Sequence, residues 1–221
     1  MRGCHNFIED YEEAIDILNR AEKILLNPLE KWYIKNTEGF VNIRSGNINT
    51  ALRIFQDSYN NIKEIKPYEA SYAGNNYAVC LMIKGEYDLA KDVLEDALFW
   101  NKTNYGKLFL NVHYMMCNIF LGNDILAKES MEYLTKYLDK NNPTDNIILR
   151  KLYMNLALAF KYQGNNLESN IYTKNVKKYV INTSSEFRYN KLIDVETNAI
   201  DNNIYYSYSK FDPWFVVYAH D

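Results

Sequence analysis

The histidines, the side chains best suited to metal ligation, are widely separated in this sequence. They are His5, His113 and His220, and no HExxH or other metal-ligand spacing includes any of them. His113 stands beside Tyr114 in a helical segment, where a packing or groove role is favoured over metal ligation. The sequence therefore predicts no metal site.

The three cysteines, Cys4, Cys80 and Cys117, also stand singly. They cannot all pair with one another, and none belongs to a CxxC motif. Unpaired thiols of this kind are typical of a reducing compartment. No run of about 18 apolar residues predicts a membrane span. The sequence therefore predicts a cytoplasmic location.

No motif for catalysis or nucleotide binding is present. None of the eight glycines belongs to a phosphate-binding G-x-x-x-x-G-K-[ST] or G-x-G-x-x-G motif. The neighbouring acids Asp92, Glu95 and Asp96 lie on an amphipathic helical segment, where a solvated surface is favoured over a general acid–base pair. No local motif gives a serine or cysteine nucleophile a base. We therefore predict no enzymatic activity and no cofactor.

The charge balance argues against two classes of partner. The chain has 221 residues, of which 25 are basic and 28 acidic, giving a formal net charge of −3. These charges are spread along the whole length, so no basic field can attract nucleic acid or an anionic membrane. Neither nucleic acid nor a membrane is therefore an expected partner.

A repeat supplies the elements that position the side chains. Gly46, Gly85, Gly122 and Gly164 recur at intervals of 39, 37 and 42 residues. Apolar residues have helical spacing on both sides of each glycine, which predicts two helices joined by a turn that the glycine closes. A small residue follows each glycine five positions later: Ala51, Ala90, Ala127 and Ser169.

This pattern resembles the tetratricopeptide family, most clearly in residues 71–98 and in DYEEAIDILNRAEKI at 10–24. In that family helix A and helix B of each unit cross at small residues, because larger side chains would separate the backbones. The sequence departs from the family pattern at Glu38 and Asn42, where apolar residues are expected, and at Met115, where a small one is expected. The implied crossing residues are Gly39, Ala78 and Ala157 on A helices and Ala14, Ala51, Ala90 and Ala127 on B helices.

The resemblance implies an all-α superhelix, or solenoid, of about five tetratricopeptide-like units over residues 1–183. Residues 184–221 are predicted to add a C-terminal capping helix and an extended aromatic tail, in which Trp214 and Phe215 pack onto the last helices. The first recognisable helix, about residues 9–25, aligns as a B helix without its A partner. This predicts a fragment of a longer polypeptide, or an open end that another subunit or a partner covers.

The family binds peptides on the concave side lined by its A helices, so the resemblance implies a peptide groove here. The groove would be apolar and aromatic, with scattered amides and a few positive charges. Asn36 and Asn75 are expected to bond the ligand backbone, since an amide offers both a donor and an acceptor. Alternatively, these asparagines reflect composition or hold the repeat turns. The implied groove residues are Tyr33, Asn36, Phe40, Arg44, Tyr72, Asn75, Val79, Met82, Phe109, Val112, Met116, Phe120, Lys151, Met154, Lys161 and Tyr162.

Two functions remain open at this point. The first is a scaffold that binds a protein or peptide in the groove. The second is the ligand-sensing region of a larger bacterial signalling regulator whose ATPase or DNA-binding output lies elsewhere in the polypeptide, because repeats longer than the common form resemble those of such regulators. A homo-oligomer is compatible with either.

Overall fold

A computed structural model describes residues 11–25, 27–141 and 146–180 of the chain. Within these ranges the chain forms nine helices and no strand, which confirms the all-α class. The predicted capping helix and aromatic tail lie outside the described residues. The helices are α1 (Tyr11–Ile24), α2 (Pro28–Arg44), α3 (Ile48–Ile62), α4 (Pro67–Ile83), α5 (Tyr87–Trp100), α6 (Asn104–Leu121), α7 (Asp124–Asn141), α8 (Asn146–Tyr162) and α9 (Asn166–Val180).

The helices pack in chain order, each on the next, from α1 on α2 to α8 on α9. In addition, α4 contacts α6 and α6 contacts α8. We call α2, α4, α6 and α8 the A helices and α1, α3, α5, α7 and α9 the B helices. The A helices form the interior: α4 is buried continuously from Ala70 to Met82, whereas α5 buries only a stripe of four residues.

The repeat glycines end the A helices as predicted. Gly46, Gly85, Gly122 and Gly164 have φ angles of +84°, +79°, +73° and +75°. A side chain at these positions would have free space but a strained backbone, because this left-handed region disfavours residues with a Cβ. The turn therefore depends on glycine through its backbone and not through packing.

Prolines begin two of the A helices. Pro28 and Pro67 are the first residues of α2 and α4. A proline at this position costs no hydrogen bond, because the first amides of a helix have no partner within it. Pro143 lies outside the described residues.

The small residues of the repeat lie where paired helices meet. Ala51, Ala90 and Ala127 are fully buried. Ser169 takes the equivalent place on α9, and its hydroxyl donates to the carbonyl oxygen of Ala157 on α8 at 2.8 Å. The serine thus forms a hydrogen bond at a crossing that would otherwise bury its hydroxyl unpaired.

Candidate functional site: the A-helix face

The predicted groove residues lie on the four A helices, but most of them are not open to solvent. Tyr33, Phe40, Phe120 and Lys161 are half-buried, and Tyr162 is 39% exposed. Arg44 is the last residue of α2, and its side chain is outside the described part of the structure. The role of these residues in peptide binding stays a prediction. The buried members of the set are Asn36, Tyr72, Asn75, Val79, Met82, Phe109, Val112, Met116, Lys151 and Met154.

A chain of buried polar side chains joins three A helices. Asn76 on α4 donates to the amide oxygen of Asn36 on α2 at 2.9 Å. The neighbouring Asn75 donates to the amide oxygen of Asn76 at 3.4 Å, and its own amide oxygen lies 2.7 Å from Nδ1 of His113 on α6. We call these residues, together with Lys151 on α8, the polar row. Each of its five members is at most 3% exposed.

The polar row fixes the protonation state of its histidine. Because the amide oxygen of Asn75 can only accept, Nδ1 of His113 carries the proton and donates it. Burial and the nearby positive charge of Lys151 lower the pKa of His113 to about 3. His113 is therefore a neutral hydrogen-bonding residue at physiological pH, which agrees with the packing or groove role predicted for it.

Aromatic side chains lie beside the polar row on the A helices. The hydroxyl groups of Tyr68 and Tyr72 on α4 are 2.7 Å apart. On α6, the rings of Tyr105 and Phe109 meet edge to face with centroids 4.5 Å apart. Tyr105 is 41% exposed, so one edge of this cluster reaches the surface. We call the polar row together with Tyr68, Tyr72, Tyr105 and Phe109 the A-helix face. Of its aromatic side chains, Tyr72 and Phe109 are buried, Tyr68 is half-buried and Tyr105 is exposed.

Two of the acids predicted to be solvated have structural partners. The hydroxyl of Tyr59 on α3 donates to Asp96 at 3.1 Å, and that of Tyr114 on α6 donates to Glu95 at 2.6 Å. Both acids are exposed on α5. These hydrogen bonds join α5 to α3 and to α6.

The described thiols are poorly suited to nucleophilic chemistry. Cys80 and Cys117 are buried and unpaired by disulfides, and Cys4 lies outside the described residues. Burial raises the pKa of Cys80, and burial together with Asp88 raises the pKa of Cys117 to about 12. Both thiols are protonated at neutral pH, and the thiol is far less nucleophilic than the thiolate. Among the described residues no group of three His, Cys, Asp or Glu side chains could hold a metal ion.

Part of the polar row is predictable from the sequence, and the rest is not. The family resemblance implies a groove role for Asn36, Asn75 and Lys151, and the sequence predicts a packing or groove role for His113 without naming its partner. Asn76 was missed, although adjacent asparagines inside an otherwise apolar helix are unfavourable for both helix propensity and burial. That double asparagine was the signal that could have located the row.

None of the described helices combines the length and apolar character needed to cross a bilayer. No protein-family model, curated protein or solved structure matches the chain.

Proposed function

We propose that the chain is a tetratricopeptide-like scaffold that binds a polypeptide segment on its A-helix face. The polar row is the observation that carries this proposal. It combines three amides, an imidazole and an ammonium group from the four A helices, next to aromatic side chains. Such a face suits an extended peptide, whose backbone groups need donors and acceptors and whose side chains need apolar contacts.

The energetics of the polar row suggest that stability alone does not account for it. Burying a polar side chain is unfavourable unless it is hydrogen-bonded, and apolar residues of similar shape often stabilise a core equally well or better. Other buried positions of the A helices are apolar, as Leu81 and Leu110 show. In this proposal the polar row therefore serves to bind a ligand in addition to its part in the fold.

The bonds within the polar row set a condition on the ligand. In the free chain the amides of Asn36, Asn75 and Asn76 bond to one another and to His113. A peptide that binds here must exchange these bonds for its own, since a buried amide left without a partner costs about 1–3 kcal/mol. We therefore expect moderate affinity and selection for backbone geometry.

The test is to select binding peptides from a random-peptide phage library on the immobilised chain and to measure their affinities by calorimetry. Replacing Asn75 by Ala should weaken binding about tenfold, the loss expected for one buried hydrogen bond. The matched control is Asn60→Ala, since Asn60 is exposed on α3 and lies outside the row. Circular dichroism of each variant confirms that it is folded.

Two outcomes would contradict the proposed peptide site. If the selected peptides bind the Asn75→Ala chain as tightly as the parent, or if the library yields no binder, the A-helix face is not a peptide site.

A further inference from the structure

We propose a second binding site, in a cavity between α1, α2 and α3, that takes a small amphipathic anion: a molecule with an apolar body and one carboxylate or similar anionic group. The cavity has a volume of about 840 Å³, within the range of about 300–1,000 Å³ typical of small-molecule sites. None of the polar row lines it, so this site is independent of the proposed peptide site.

The cavity exists because charged residues replace aromatic ones at this point of the repeat. Eight residues after the small residue of the B helix, α1 has Glu22 where α3 has Tyr59. One residue before the small residue of the A helix, α2 has Glu38 where α4 has Tyr77. The bulky rings that fill the space between α3 and α5 are therefore absent between α1 and α3.

The apolar part of the lining is formed by Leu29, Trp32, Ile54, Ile62 and Ile65. Trp32 is only 5% exposed, yet its indole Nε1–H is buried without a hydrogen-bond partner among the described residues. An unpaired buried donor is unfavourable, because burial has removed its water without supplying an acceptor. A ligand with an acceptor next to its apolar body would satisfy this donor after a small adjustment of the ring.

The charges around the cavity favour an anion. The Glu22 and Glu38 carboxylates are each 2.8 Å from the ammonium of Lys35, so these three side chains together carry a single negative charge. Burial tends to lower the pKa of Lys35, but the hydrogen bonds to both acids outweigh it and raise the pKa, so the pairing holds at physiological pH.

The remaining charged side chains of the lining carry a net positive charge. They are Lys31, Arg53, Lys66 and a single acid, Asp57. Within the described part of the chain, Lys31, Arg53 and Lys66 form no ion pair. Three such cations beside an apolar floor complement a ligand with an apolar body and an anionic head.

The size and limits of the cavity favour a compact ligand over a long polypeptide segment. Residues of three helices line it, together with Asn27 before α2 and with Ile65 and Lys66 after α3. An apolar body can lie on Trp32 and Ile62 while its anionic group stays at the rim near Arg53.

Three probes of known chemistry test the site with the full chain. The fluorescent probe 8-anilinonaphthalene-1-sulfonate has an aromatic body and one anionic group, so its fluorescence should rise on binding. Laurate should displace it with one-to-one stoichiometry. Dodecyltrimethylammonium has the same alkyl length with the opposite charge, and it should not.

Variants locate the binding. Arg53→Gln should weaken laurate binding about tenfold, and Trp32→Phe, which keeps a ring but removes the donor, about threefold. Arg20→Gln is the matched control, because Arg20 is an exposed arginine of α1 that pairs with Asp16 outside the cavity. It should leave the affinity unchanged.

Opposite results would overturn the proposal. The site is not selective for anions if dodecyltrimethylammonium competes as well as laurate. It is not in this cavity if Arg53→Gln, an exposed substitution that leaves the core intact, binds laurate like the parent. Since Asn75 does not line the cavity, Asn75→Ala should keep laurate binding, which separates failure of this site from failure of the peptide site.

Discussion

The spaces on the two sides of α3 hold equivalent places in the repeat but are filled in opposite ways. Between α3 and α5, the Tyr59 ring lies so close to Gly74 that a Cβ there would be 3.1 Å from it. The same ring has its centroid 6.1 Å from those of Tyr77 and Trp100, and its hydroxyl bonds Asp96. This space is a closed aromatic core.

Between α1 and α3, the equivalent contact is an ion pair. Glu22 takes the place of Tyr59, and Lys35 takes the place of Gly74, and these two side chains meet at 2.8 Å. Charged side chains keep part of their hydration, so they do not close the space as rings do. One backbone arrangement therefore yields a core or a cavity according to which residues occupy a few positions.

The B helices beside the two spaces also differ in how many of their residues are buried. Among their described residues, α1 buries none and α3 buries six, including Phe55 and Tyr59. In a repeat array each unit contacts only its neighbours, so local stability follows the contacts of that unit. The comparison predicts that the first part of the array opens more readily than the centre.

The largest expected effect on stability comes from removing a ring from the aromatic core between α3 and α5. Tyr59→Ala should lower the free energy of unfolding by about 3–5 kcal/mol, because it removes a buried ring and leaves a void. The equivalent change in the other space, Glu22→Ala, should cost less than about 1 kcal/mol, because partly exposed ion pairs contribute little. Urea unfolding of both variants measures the difference. Equal losses would show that the two spaces do not differ in packing.

The next effect comes from enlarging a small residue at the helix crossings. Ala90 is fully buried between α4 and α5, so Ala90→Leu should cost about 1–3 kcal/mol through overpacking. The equivalent residue of α1, Ala14, is half-buried, and Ala14→Leu should change stability by less than about 0.5 kcal/mol. Melting temperatures of the two variants provide the measurement. An unchanged value for Ala90→Leu would mean that the repeat register is wrong.

A smaller effect, of opposite sign, comes from filling the cavity. Asn61 lines it at the position where α5 has Trp100. Asn61→Trp should therefore raise stability by about 1 kcal/mol through added apolar burial and should also block laurate. Asn60→Trp is the control, because the neighbouring residue does not line the cavity. The interpretation fails if both tryptophans have the same effect on melting and on laurate affinity.

The smallest expected effect concerns salt. At about 1 M salt the screening length falls to about 3 Å, which weakens exposed ion pairs. The pairs between Lys35 and Glu22 or Glu38 should lose up to about 0.5 kcal/mol, and the backbone amides of α1 should exchange correspondingly faster. Amides of α5, held by aromatic and apolar contacts, should change little. Hydrogen exchange of both helices at low and high salt measures this.

The repeat in the sequence was sufficient to predict the helices and their turns. The four glycines gave the left-handed turns correctly, and the spacing from Ala14 located α1, because both depend on local backbone preferences. The contacts across helices were not predictable in this way. Whether Asn76 meets Asn36 or Asn75 meets His113 depends on how helices about 40 residues apart rotate against each other. The repeat register fixes which positions are equivalent, but not which atoms touch.

The polar row has a consequence for the uniqueness of the fold. Apolar helix layers can slide past one another by one turn, about 5.4 Å, and still bury similar surfaces. Here such a slip of α4 against α2 would break the buried hydrogen bond from Asn76 to Asn36, and each polar atom left without a partner would cost about 1–3 kcal/mol. The same holds for Asn75 and His113 between α4 and α6. The row therefore selects one alignment of helices among several that their leucines and alanines would accept.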